Sequence, residues 1–342
     1  MTTPRAAVLL VGGLGTRMHP LTLSRPKHLL PVAGVPVIDL QLRRLADAGV
    51  RRVVLATATH ADLVRDHVVS HPVDGLDVHT HDEGTPLGTG GALLAALEAL
   101  APDRDEQVVV ANGDLLTGHD LALQCAAGHD GTDVVLHVRA ADDPAPFGTV
   151  DVADDGRRVV GFREKVPGPP GTLVNAGTYV VRPRVLEGLA TGGVQSWERD
   201  LLPALIGDGA LVVAHRAEAW FADIGSPTAL LGAHLALLDG TAAGVVPSGT
   251  SIDPVSPGTL IADGAEVVRS STGVGVRVGA GARVVDSILL DDVVVGDGAL
   301  VRDSVVGAGV VVADRTSLRG RAVADGTHVT TDDTPDDEGS AR

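Results

Sequence analysis

Aromatic residues make up only 2% of this 342-residue chain, so its cores are built from Val, Leu and Ala rather than from rings. A single cysteine, Cys125, rules out an internal disulfide framework and fits a reducing compartment; a cytoplasmic protein is expected. There is no apolar run of about 20 residues, as a membrane-spanning helix needs, and the first residues run straight into a glycine turn without a signal-peptide pattern. Cations are short: the formal charge is −17, which argues against nucleic acid or an anionic membrane as partner. Lysine is scarcest of all, standing only at positions 27 and 165 among 27 Lys plus Arg. Either the placement is chance or these are positions where a compact ammonium serves and a planar guanidinium does not, and where the two lysines fall decides between the two.

What is present alternates. Residues 6–13 (AAVLLVGG) read as a buried strand entering a glycine turn, 36–49 as a helix opened by Pro and stopped by Gly49, and 51–57 as the next strand. Helical stretches near residues 60–69 and after Gly91 and an apolar strand over 107–114 follow. This is the pattern of an α/β domain with a mainly parallel sheet covered on both faces, in which ligands bind beyond the carboxyl ends of the strands. The histidines show no metal-ligand spacing; His79 and His81 read as one solvated strand face.

After residue 240 the texture changes. Residues 241–258 are rich in Pro, Ser, Gly and Thr and read as a linker. Behind it IADGAEVVRS, VGAGARVVDS and VGDGALVRDS begin at Ile261, Val278 and Val295, seventeen residues apart, with a fourth, degenerate copy read from Val306 on a shorter offset. Small corner residues beside regularly spaced apolar ones predict a parallel β-helix over 259–328, and the acidic residues 329–342 a disordered tail.

The sharpest segment is VGGLGTRMHPLTLSRPKHLLPVAG, residues 11–34. Gly12, Gly13 and Gly15 let backbone N–H groups approach an anion, Arg17 adds a fork suited to phosphate oxygens, and Lys27 lies between Pro26 and Pro31. It is neither a GxGxxG dinucleotide fingerprint nor a Walker A loop, since no GK[ST] follows. Together with PLGTGGAL, NGDLLTG, FGTV, FREK, NAGTYV, WERD and WFADIGSP in that order, it resembles the sugar-1-phosphate nucleotidyltransferase family. The mannose-1-phosphate guanylyltransferase branch is nearest in pattern, and the resemblance implies a Rossmann-like nucleotidyltransferase domain (residues 1–240) followed by a short left-handed β-helix.

The resemblance also implies roles. A nucleoside triphosphate and a sugar 1-phosphate are the expected partners, and Mg²⁺ the cofactor, held by Asp114 and Asp223. Lys27 is expected to neutralise the triphosphate, Arg17 to face the leaving pyrophosphate and Lys165 to hold the phosphate of the sugar. Leu10, Gly12, Gly13, Gly15, Thr16, Glu83, Gly88, Thr89 and Asn112 are expected at the nucleotide, and Gly148, Glu164 and Asn175 at the sugar. Thr85 stands where the guanylyl branch carries an acidic residue, so Asp82 and Glu83 are the nearby acceptors for guanine. His28 replaces a usual Pro and Phe147 a usual Tyr. The base stays open between guanine and an adenylyl, uridylyl or thymidylyl enzyme, and the acceptor between mannose, glucose, heptose and cyclitol phosphates. A non-catalytic subunit that senses nucleotide sugar is the rival of another class, disfavoured by intact Lys27, Asp114, Lys165 and Asp223. The β-helix shows no catalytic His and reads as an oligomerisation or regulatory module of a homo-oligomer.

Overall fold

The longest unbroken apolar strands lie side by side in the centre of one sheet. The computed structural model describes residues 4–129, 131–189 and 193–330. Within it the chain forms two compact units, one of residues up to Leu14 with Ile38–Phe221 and Ala243–Ser248, the other of Gly15–Val37, Ala222–Ala242 and the residues from Gly249 on.

The first unit is built on strands β1 (Ala6–Leu10), β2 (Arg52–Thr57), β3 (Asp77–Asp82), β4 (Val108–Asn112), β5 (Val134–Ala141), β6 (Gly148–Val152), β7 (Val159–Glu164), β8 (Thr172–Val181) and β9 (Val212–Arg216). They run in the order β7-β6-β8-β4-β1-β2-β3, with β5 pairing β8 and β9. The β3-β2-β1-β4 part is parallel throughout, while β8 pairs β4, β5 and β6 antiparallel. All five residues of β1 are buried, as expected for a strand covered on both faces. The helix Gly88–Leu100 packs on β1 and β2. It starts four residues before the ALLAALEAL run that announces it, because the N–H of Gly90 already donates to Gln195 O at 2.8 Å. Trp197 and Tyr179, both fully buried, meet edge to face at 5.5 Å and supply the ring packing of this aromatic-poor core.

The second unit carries the repeat. Three parallel sheets stack coil on coil: the first holds Leu260–Ile261, Arg277–Val278, Val294–Val295, Val311–Val312 and His328–Val329. The second runs from Glu266–Val268 to Ser317–Arg319 and the third from Ser271–Thr272 to Ala322–Val323, the repeated parallel strands of a hexapeptide left-handed β-helix. Val278, Val295 and Val312 stack inside it.

Corner chemistry fixes the period. Buried Ser270, Ser287 and Ser304 each donate to the carbonyl two residues back and accept the N–H seventeen residues on, at 3.0–3.2 Å. The residue before each of these serines has φ near +50°, a conformation that suits the Asp of the two Asp-Ser copies and that Arg269 also adopts. The fourth copy needs correction: Val295 pairs Val312, so the spacing of seventeen continues and the copy begins at Val312. Val306 belongs to the third sheet, where a similar Val-Gly-small-Gly turn imitates the motif. Of the acidic tail, Val329 closes the last strand and residues 331–342 lie outside the described residues. No helix among the described residues is long and apolar enough to cross a membrane.

Candidate active site

The carboxyl edge of the parallel strands gathers the expected nucleotide residues of the first unit. Leu10 sits in register with Asn112 and Ala56, and Thr57 with Asp82, so Gly12, Glu83 and Asp114 all lie just past the ends of adjacent strands. Val11 N–H donates to Ala56 O and Gly113 N–H to Leu10 O, both at 2.9 Å, which ties the turn holding Gly12 and Gly13 to its neighbours. Gly12 is required by close approach: a Cβ there would stand 2.8 Å from Glu83 Oε1. Glu83 is itself anchored, its Oε2 accepting Leu87 N–H at 2.8 Å. Burial raises its carboxyl above the usual range, against the opposing pull of that N–H. Gly88, at φ +71°, lets the LGTGG turn press against the Gln195 carbonyl.

The expected sugar residues lie on β6, β7 and β8. Gly148 pairs Glu164, and a Cβ on Gly148 would meet the Phe162 ring and stand 2.9 Å from Glu164 Oε2. Burial first, and Glu198 second, raise the Glu164 carboxyl, while Lys165 acts the other way. Lys165 Nζ lies 4.0 Å from Glu164 Oε1, and its backbone takes the left-handed conformation, φ +55°, with its N–H held by Phe147 O at 2.9 Å. A non-glycine residue in that region is uncommon and gathers at functional positions. Asn175 is buried and already engaged: its Nδ2 donates to Tyr179 Oη at 2.7 Å and its Oδ1 accepts Gly177 N–H at 2.8 Å.

Glu198 has no assigned role in the sequence reading, yet the polar groups converge on it. It accepts from Thr89 Oγ1 at 2.8 Å, Tyr179 Oη at 3.2 Å, Ser196 Oγ at 3.4 Å and, weakly, Asn112 Nδ2 at 3.5 Å. It stands in Trp197–Leu201, a π-helical turn of a kind frequent at functional sites. The single hydroxyl proton of Thr89 is thus committed inside the protein, and its oxygen also accepts Trp197 N–H at 2.8 Å. The one sequence signal for Glu198 is its place in WERD, among the motifs that carry the family resemblance.

The second unit holds the rest. Gly15, at φ +63°, turns the chain into the short helix Thr16–Met18, and its carbonyl is held by Thr22 Oγ1 at 2.8 Å. Arg17 is 71% exposed, with Nη2 4.0 Å from Asp223 Oδ2. Gly225 makes that approach possible, since a Cβ there would stand 2.6 Å from Arg17 Nη2 and 2.9 Å from Asp223 Oδ1. Lys27 opens a second short helix, Lys27–Leu29, directly after Pro26.

Asp114 belongs to the first unit and Asp223 to the second. Among the described residues no group of three His, Cys, Asp or Glu is arranged to hold a metal. Each of the two aspartates is a half-buried carboxylate, a hard oxygen donor of the kind Mg²⁺ takes.

Comparison with known proteins divides the chain along the sequence, near residue 240, rather than by these units. The nucleotidyl transferase family model matches residues 6–240, and the GlmU-like C-terminal hexapeptide model residues 246–334. The chain is 35% identical over 277 residues to the mannose-1-phosphate guanylyltransferase of Mycobacterium tuberculosis, covering 76% of each protein. It is 33% identical to the mannose-1-phosphate guanylyltransferase catalytic subunit beta of Danio rerio over 65% of this chain and 61% of that one, less than two thirds of the fish protein. Among solved structures, HddC from Yersinia pseudotuberculosis, complexed with GMP-PN, superposes with a TM-score of 0.58 at 30% identity, over 67% of this chain and 98% of that one.

Proposed function

The chain belongs to the nucleotidyl transferase family, and from that premise we propose that it joins the guanylyl group of GTP to mannose 1-phosphate, releasing pyrophosphate. The observation that carries the reading is the 35% identity to a mannose-1-phosphate guanylyltransferase over 76% of both chains. The Yersinia relative bound to GMP-PN supports the guanine half of it.

In this reading a phosphate oxygen of the sugar 1-phosphate attacks the α-phosphorus, the bond from that phosphorus to the β-phosphate bridge breaks, and the pyrophosphate leaves opposite. Both reactants are anions, so charge neutralisation and positioning supply most of the catalysis. Lys27 neutralises the triphosphate, Arg17 receives the leaving pyrophosphate and Lys165 holds the acceptor phosphate. Backbone N–H groups of the turn through Gly12, Gly13, Gly15 and Thr16 face the phosphates, beside Leu10, Gly88, Thr89 and Asn112. Glu83, anchored by Leu87 N–H, has a carboxylate to accept from guanine N1–H and N2–H₂. Glu164 takes a pair of sugar hydroxyls, beside Gly148 and Asn175. Asp114 and Asp223 would hold Mg²⁺, which when bound supplies positive charge to the phosphate oxygens. Residues 1–240 form the catalytic domain, 241–258 the linker and 259–328 an assembly or regulatory module of a cytoplasmic homo-oligomer.

The test is pyrophosphate release with Mg²⁺, over a grid of nucleoside triphosphates against mannose, glucose, heptose and cyclitol phosphates. Release is expected with GTP and mannose 1-phosphate. Release only with another pair would keep the reaction class and overturn the substrate, whereas nucleotide binding without release anywhere would favour a sensing subunit.

A further inference from the structure

Four aspartates at β-helix corners cap the coil before their own. Asp291 Oδ1 accepts Val274 N–H, Asp297 Oδ1 accepts Ala280 N–H, Asp314 Oδ1 accepts Asp297 N–H and Asp325 Oδ1 accepts Ala308 N–H, all at 2.8–2.9 Å and all seventeen residues apart. The corner uses one carboxylate oxygen. At Asp325 the other oxygen is used as well: Oδ2 accepts from Ser24 Oγ and from Arg25 Nη2, both at 2.6 Å. Those residues lie within the GGxGTR…PK signature, in the same compact unit as the β-helix.

The pair is not an ordinary surface contact. The Arg25 and Asp325 side chains are 22% and 27% exposed, and the bonds are short and charge-assisted. Burial alone would raise the Asp325 carboxyl, but Ser24, Arg25 and the Ala308 N–H hold it below the usual range. Little freedom separates this clamp from Lys27. Pro26 follows with φ −70°, fixed by its ring, and Leu29 N–H then donates to Pro26 O and Leu30 N–H to Lys27 O, both at 3.1 Å. Upstream, Thr22 Oγ1 holds the Gly15 carbonyl. The signature loop is therefore pinned at Thr22 and again at Ser24 and Arg25, with Lys27 two residues beyond the second pin.

We infer that Asp325 is a positioning residue for Lys27: through Ser24 and Arg25 the last described corner of the β-helix sets where the Lys27 ammonium meets the triphosphate. The inference rests on the reading of Lys27 as a triphosphate-binding group. It also gives the β-helix a part in the reaction that needs no second active site.

The test uses the full chain with Asp325→Asn, Arg25→Met, the double variant, and Asp291→Asn as a control that alters an equivalent corner. The amide introduced by Asp325→Asn keeps an oxygen for Ala308 N–H, so the corner survives while the charge facing Arg25 is lost. Calorimetric binding of GTP is read beside steady-state kinetics. Asp325→Asn is expected to weaken GTP binding and to lower kcat/KM for GTP about 10-fold, with KM for mannose 1-phosphate within about twofold. Asp291→Asn should stay within about twofold of the parent, and the double variant should be no worse than Arg25→Met alone. Unchanged GTP affinity in Asp325→Asn, equal losses in both corner variants, or losses that multiply in the double variant would each overturn the inference. Failure of the proposed reaction reads differently: the parent would bind GTP and release no pyrophosphate, and the clamp would still be read from the binding constants. A parent that binds no triphosphate would overturn both.

Discussion

Removing Glu198 should cost both stability and the tuning of a neighbouring acid. In Glu198→Ala the Thr89 hydroxyl loses an acceptor at 2.8 Å and the fully buried Tyr179 hydroxyl one at 3.2 Å. Asn175 donates to the Tyr179 oxygen and so cannot take its proton. A stranded buried donor costs about 1–3 kcal/mol, so Tyr179 predicts a loss of that size, to which the half-buried Thr89 adds a smaller one. Set against a typical total of about 5–15 kcal/mol, that is a large share. Glu198→Gln retains one acceptor oxygen and should lose less, about 1–2 kcal/mol. Urea unfolding, with midpoint shifts at constant slope, measures both. The charge has a second readout. Because Glu198 helps raise the Glu164 carboxyl, removing it makes Glu164 easier to ionise, so the acid limb of kcat/KM for the sugar 1-phosphate moves to lower pH in Glu198→Gln. A change below about 0.5 kcal/mol in Glu198→Ala, far under the cost of one orphaned donor, together with an unmoved acid limb, would refute the reasoning.

Gly12→Ala puts a Cβ 2.8 Å from Glu83 Oε1 and must push aside a carboxylate held by Leu87 N–H. GTP affinity measured by calorimetry should fall about 10-fold, with a stability change of about 1 kcal/mol or less, the displaced atom being a side-chain end. Gly148→Ala meets the Phe162 ring and Glu164 together; overpacking of about 1–3 kcal/mol in unfolding and a raised KM for the sugar 1-phosphate are expected. Stability should also fall with acid. Burial first, with nearby charges, depresses His119 to about 2 and His137 to about 4, and burial depresses His234 to about 4. The unfolded chain then binds protons that the native state refuses, so stability is full above the unfolded value near 6.5 and drains as pH falls below it. Between pH 6.5 and 5 each histidine contributes a loss of about 2 kcal/mol, and His234→Asn should flatten the measured slope.

The parallel sheet was legible because a strand buried on both faces is apolar throughout, as Ala6–Leu10 is. The β-helix was legible because valines must recur at the same place in every coil. Its fourth coil was misread because two faces of one coil carry nearly the same turn, around Val295 and around Val306. A local motif says that a corner exists; only pairing says which corner. The glycines at 12 and 148 announced close approach without saying to what, and the structure supplies Glu83 and Glu164.

Glu198 and Asp325 escaped for one physical reason. Groups expected to meet a ligand stand in short motifs whose spacing reflects that ligand, as Gly12, Gly15, Arg17 and Lys27 do. A residue that acts through other side chains meets them wherever the fold brings them. Glu198 takes its bonds from Thr89, 109 residues away, and from Asn112, 86 away; Asp325 reaches Arg25 across 300 residues. No periodicity or spacing rule spans such distances, since each partner's identity is set by topology and register. Asp325 is harder still to see, because its corner position already accounts for an aspartate: Asp291 occupies the same corner and caps Val274. The distinction lies in the second oxygen. One carboxylate can satisfy a structural ladder and a functional loop together, and the pair of variants at Asp325 and Asp291 separates the two uses.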